Sequence, residues 1–178
     1  AFKDMALSIL PYLMKTAAKK NGMDKEIVIL TATSGDTGKA ALEGFADVEG
    51  IKIIVFFPED GVSPVQKLQM TTQEGKNTCV VGIKGNFDDA QTAVKTIFTD
   101  NGLCCELEKK GFVFSSANSI NIGRLVPQIV YYFQAYLRMA DHGVITIGDE
   151  INVVVPTGNF GNILAGYFAN KMGLPVKT

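Results

Sequence analysis

Ile27-Val28-Ile29-Leu30-Thr31-Ala32-Thr33-Ser34-Gly35-Asp36-Thr37-Gly38 is a short apolar run that breaks into a turn of glycine and small hydroxyl residues. Four consecutive apolar residues without polar alternation suit a strand covered on both faces, as in a parallel sheet flanked by helices. Glycine lets the backbone turn sharply and lets N–H groups come close to a ligand. The helix that follows such a turn offers unpaired N–H groups and the positive end of its dipole. The stretch therefore reads as a βα junction and as a candidate anion cradle.

The pattern repeats on either side. Short apolar runs over 51–57, 78–81, 113–115 and 152–155 predict further strands. Between them lie segments with helical periodicity. One covers 2–20, where Pro11 predicts a kink or a break and Asn21-Gly22 a stop. Another opens on Ser63-Pro64 as cap and first turn and closes at Gly75. The others cover 87–99, stopping at Asn101-Gly102, then 119–139 and 162–172. Strands alternating with helices predict an α/β fold with a parallel sheet, an open three-layer αβα lobe. The spacing assigns 23–117 to a small α/β lobe and 118–178 to part of a second, larger lobe; 1–22 is expected to be a helix of that larger lobe.

Composition narrows the function. The 178 residues are 47% hydrophobic and 20% charged with a net charge of −1, which is ordinary folded α/β material. That charge gives no electrostatic footprint for nucleic acid, so no nucleic-acid partner is expected. No apolar run approaches the roughly 20 residues that span a bilayer, and no membrane partner is expected. Cys79, Cys104 and Cys105 form no C-x-x-C pair and cannot all be bridged, which points to a reducing, cytoplasmic setting. The single histidine, His142, sits in a polar Asp-His-Gly stretch; a histidine metal site or a Ser-His-Asp triad is thereby disfavoured. The chain opens on Ala1 rather than Met and stops in what reads as a new strand, so a piece of a longer protein is expected, inactive by itself.

Two further segments carry chemistry. Pro156-Thr157-Gly158-Asn159-Phe160-Gly161-Asn162 is a second Gly-rich strand-to-helix junction. Neither junction fits a Walker A loop, which would need Gly at position 33 and Ser or Thr at position 40, where Thr33 and Ala40 stand. One such turn is commonly only a turn, but two in one chain favour ligand binding. The third segment, Ser115-Ser116-Ala117-Asn118-Ser119-Ile120-Asn121-Ile122-Gly123-Arg124, places five Ser or Asn side chains and an arginine at the start of a long helix. One of them suffices as a cap. Arg124 can grip phosphate bidentately. Three phosphate-suited elements suggest more than one anionic group. Lys3 alone would be read as a surface charge.

Four segments in order resemble one family. Ala1-Phe2-Lys3-Asp4-Met5-Ala6-Leu7 resembles the lysine motif of threonine synthases, within the fold-type II pyridoxal-phosphate enzymes. Thr33-Ser34-Gly35-Asp36-Thr37-Gly38 resembles a loop that cysteine synthases write with Asn in place of Asp36. The run from Asn118 to Arg124 resembles a substrate-phosphate segment, and the run from Pro156 to Asn162 a cofactor-phosphate loop.

The resemblance implies a lyase of threonine biosynthesis that uses pyridoxal 5'-phosphate and converts O-phospho-L-homoserine and water into L-threonine and phosphate. It implies Lys3 as the Schiff-base and acid/base residue. Ser34, Gly35, Asp36, Gly158, Asn159, Phe160, Gly161 and Asn162 would contact the cofactor. Thr33, Thr37, Asn118, Ser119 and Arg124 would hold the substrate phosphate. The alternatives are another enzyme of this fold type, such as a threonine or serine dehydratase or a cysteine synthase, and a non-catalytic phosphate-binding module.

Overall fold

A computed structural model describes residues 2–156 and 160–177. Contacts divide the chain into two units, Ala1–Asn118 and Ser119–Thr178. The first unit contains α1 (Phe2–Lys20), β1 (Glu26–Ala32), α2 (Asp36–Phe45), β2 (Ile51–Pro58), α3 (Pro64–Thr71), β3 (Thr78–Ile83), α4 (Phe87–Thr99), α5 (Asn101–Lys109) and β4 (Phe112–Ser116). The second contains α6 (Ile122–Asp141) and α7 (Gly161–Lys171).

The four strands form one parallel sheet in the order β3-β2-β1-β4. β1 is central and buried along almost its whole length, which is why its sequence shows no polar alternation. One face packs Ile27, Ile29, Ile51, Ile53 and Val55 against Leu7 and Leu10 of α1 and against Ala41, Leu42 and Phe45 of α2. The other packs Val28, Leu30 and Phe114 against Ala90 and Val94 of α4. Helices on both faces make the first unit the expected three-layer αβα lobe.

α1 is continuous through Pro11, so the helix does not break there. Proline at position 11 removes the N–H that would bond to the Leu7 carbonyl one turn earlier. That carbonyl is the atom packed against Gly44 of α2, where a Cβ would stand only 2.4 Å from it. The carbonyl freed by Pro11 thus meets a neighbouring helix that has no side chain at the contact. The buried stripe of α1 is Ala6, Leu7 and Leu10, whereas Met5, Ile9 and Leu13 are nearly half exposed.

Three other expectations need correction. Asn101-Gly102 does not end helical structure. Asp100 closes α4 and also caps α5, its side chain accepting from Leu103 N at 3.0 Å. α3 ends at Thr71, whose neighbour Thr72 bonds back to Leu68, four residues before Gly75. The stretch 152–155 is not a strand: only Ile151 pairs, with Val176, in an isolated parallel bridge. A strand exists by its ladder, and among the described residues no neighbour supplies one; Val154 is 89% exposed.

In the second unit α6 and α7 pack together around Leu125, Tyr132, Tyr136, Ala165 and Ala169. Open apolar hollows of about 290 and 360 Å³ flank the extended stretch 152–155, both lined in part by Tyr132, Val153 and Val155.

Candidate functional site

The turn after β1 is built from inside by Thr33. Its side chain is buried, and its Oγ1 accepts from Gly35 N and from Gly38 N, both at 2.9 Å. Gly35 has φ 143°, a conformation open to glycine and strained for other residues. Ser34 and Asp36 are exposed and Thr37 is half-buried. Asn118 holds the loop's origin: its Nδ2 donates to Ala32 O at 2.9 Å and its Oδ1 accepts from Ala32 N at 3.2 Å. This side-chain amide extends the β1–β4 ladder one step past the Leu30–Ser116 pair. Thr33 and Asn118 therefore bond within the protein and shape the turn that presents Ser34, Asp36 and Thr37.

A residue the sequence reading did not single out completes this side. Gln66 of α3 donates from Nε2 to Asp36 Oδ1 at 2.6 Å, and its Oε1 accepts from Ser63 Oγ at 3.0 Å. Ser63-Pro64-Val65-Gln66 has the spacing of a capping box, in which the Gln at the third helical position would reach back to the cap N–H. Here Ser63 does cap, accepting from Gln66 N at 3.3 Å, but the Gln66 amide turns to Asp36. The spacing was visible in the sequence; its partner 30 residues away was not.

Lys3 lies in the first turn of α1. Contacts between α1 and α2 ascend together, Asp4 with Lys39 at 3.8 Å and Leu7 with Gly44. The two helices therefore run the same way, and Lys3 stands at the same end of the sheet as the Gly35 turn.

The second unit gathers the remaining candidates. Ser119 is exposed and lies beside Gly161, where a Cβ would come 3.2 Å from that of Ser119. Arg124 is 3% exposed; burial lowers its guanidinium from the ordinary arginine value, partly opposed by Tyr131, and it stays charged at neutral pH. Gln128, also buried, donates to Arg124 O at 3.1 Å and accepts from Asn162 Nδ2 at 3.3 Å. Tyr132 Oη stands 2.7 Å from Asn162 O, and burial raises its hydroxyl pKa. Phe160 is 75% exposed. Thr157, Gly158 and Asn159 lie outside the described residues. His142 is an exposed C-cap of α6.

The helix starts differ in kind. Ser63, Asn86, Asp100 and Asn121 cap α3, α4, α5 and α6 with their own side chains. α7, which follows the second Gly-rich turn, begins on Phe160 without a side-chain cap, whereas at the start of α2 the buried Thr33 hydroxyl takes the N–H groups of Gly35 and Gly38. An uncapped helix start presents N–H groups and positive dipole to an anion. In the first unit the primary amine of Lys3 and the hydroxyls of Ser34 and Thr37 suit a phosphorylated aldehyde cofactor; in the second, Ser119 and the uncapped start of α7 suit a phosphate. No group of three or more His, Cys, Asp or Glu able to hold a metal occurs among the described residues, and none of their helices is long and apolar enough to cross a membrane.

A parallel αβα lobe with an amine and a Gly-rich turn at one end of its sheet defines a fold-type II enzyme lobe, and the chain belongs to the pyridoxal-phosphate dependent enzyme family, whose model matches residues 1–178. Among individual proteins it is 46% identical to the threonine synthase of Pseudomonas aeruginosa over 177 residues, covering 99% of this chain and 35% of that protein. It is 43% identical to human threonine synthase-like 1, covering 99% of this chain and 24% of that protein. The crystal structure of pyridoxal-phosphate-bound threonine synthase from Brucella melitensis superposes with a TM-score of 0.80 at 42% identity, over 100% of this chain and 36% of that one. The chain thus spans between a quarter and about a third of the length of these relatives.

Proposed function

We propose that the chain is part of a threonine synthase, which converts O-phospho-L-homoserine and water into L-threonine and phosphate. The observation that carries this reading is the likeness to threonine synthases along the whole chain, 42% identity at a TM-score of 0.80 to the Brucella melitensis enzyme. The 46% identity to a threonine synthase supports the same choice.

Pyridoxal phosphate, when bound, supplies an electron sink for negative charge at the substrate's carbons. Lys3 Nζ holds the cofactor and carries protons to and from those carbons. Phe160, Gly161 and Asn162, with Gly158 and Asn159, bind the cofactor phosphate at the start of α7. Ser34, Gly35 and Asp36 line the cofactor ring. Thr37, Ser119 and Arg124 bind the substrate phosphate, with Thr33 and Asn118 serving from behind by fixing the turn. The setting is cytoplasmic, in keeping with three free thiols.

The test is made on the whole protein: phosphate release and threonine formation from O-phospho-L-homoserine, with L-threonine deamination as the comparison. Phosphate release coupled to threonine, lost on Lys3→Ala, is the expected result. Deamination without phosphate release sinks the proposal.

A further inference from the structure

We propose that Gln66 is a positioning residue that aims the Asp36 carboxylate and closes the space over Gly35. The proposal rests on the reading of this turn as part of a pyridoxal-phosphate site. Asp36 is the exposed first residue of α2, and nothing in its own helix restricts its rotamer. Gln66 holds it from α3 with the 2.6 Å bond from Nε2.

The orientation of the amide follows from chemistry. An ionised carboxylate only accepts, so the NH₂ group must face Asp36 and the carbonyl must face the Ser63 hydroxyl, as found. Ser63 is fixed in turn as the α3 cap. The result is a relay, Ser63 to Gln66 to Asp36, that ends on the turn. The same amide occupies the volume a side chain at position 35 would need: a Cβ there would lie 2.4 to 2.7 Å from its atoms. Gln66 thus couples two properties of the turn, the aim of residue 36 and the absence of a side chain at 35.

The experiment uses the whole protein with ¹⁵N-labelled glutamine and a titration with pyridoxal phosphate followed by absorbance. Asp36→Ala should move the Gln66 side-chain amide resonances. Gln66→Glu keeps the shape, removes the donor and sets a second carboxylate against Asp36, and should weaken cofactor binding about tenfold or more. A role in packing alone predicts that Gln66→Glu binds within about twofold of wild type, and that result overturns the proposal. So does a Gln66 amide unmoved by Asp36→Ala. If the wild-type protein shows no cofactor absorbance, the functional reading itself fails, and the amide resonances decide the relay on their own.

Discussion

Replacing Thr33 with valine removes one hydroxyl and keeps the shape. The residue is 1% exposed, and its Oγ1 is the acceptor for Gly35 N and Gly38 N. Valine leaves both N–H groups without that acceptor in a packed site. A buried donor stripped of its partner costs about 1–3 kcal/mol. Two such groups, with some relief from the exposed residues on either side of Gly35, give about 2–4 kcal/mol. Thr33→Ser keeps the acceptor and loses only Cγ2, so its cost is about 1 kcal/mol.

Native-state hydrogen exchange of the Val28, Ile29 and Leu30 amides reads the first unit separately from the second. Exchange through unfolding should accelerate roughly thirty- to several-hundred-fold in Thr33→Val, because each 1.4 kcal/mol is about tenfold, and only a few-fold in Thr33→Ser. Equal effects from the two variants would refute the claim that the hydroxyl, rather than packing, sets the turn.

Other outcomes follow from the same geometry. Gly38→Ala drives a Cβ to 2.4 Å from Thr33 Cγ2 and 2.9 Å from Met70 Sδ, so thermal unfolding should show a loss of about 1–3 kcal/mol or more, as for overpacked cores. Ser63→Ala removes a helix cap and should cost about 1 kcal/mol by chemical denaturation. Tyr132 has a raised hydroxyl pKa in the folded state, so the unfolded chain loses this proton first. The stability it confers is complete below its ordinary value near 10 and falls as pH rises through that value. Alkaline denaturation of Tyr132→Phe should lack this part of the decline. In the whole protein, Lys3→Ala should abolish the absorbance of bound pyridoxal phosphate.

Much of the first unit was legible because its signals are local. The run from Ile27 to Leu30 followed by Gly35 and Gly38 named a strand, a turn and a helix without outside help. The start predicted at residue 87 is capped by Asn86, which forms a capping box with Asp89. What failed to read was relational. Asn152 to Val155 has strand composition, but a strand needs partners that composition cannot reveal. Pro11 carries a strong local veto, overruled by a glycine 33 positions away. Asn101-Gly102 looked like punctuation, and Asp100 turned it into a second helix start. At the candidate site Lys3 and the two turns were singled out, whereas Gln66 and Gln128 were not, since each reaches a partner about 30 positions distant. Asn118 was noticed for its chemistry, but its bond to Ala32 spans 86 positions.

The contact between Leu7 and Gly44 has a consequence for anyone who edits or transplants this protein. It rivets the helix that carries the amine to the helix that carries the turn. Phe2 through Phe45 therefore has to stay together, on its sheet, in any transplant of the lobe: a cut between α1 and β1 would deliver a lysine without its address. A bulky residue at position 44, far along α2 from any reacting atom, would detune the amine by prising the two helices apart.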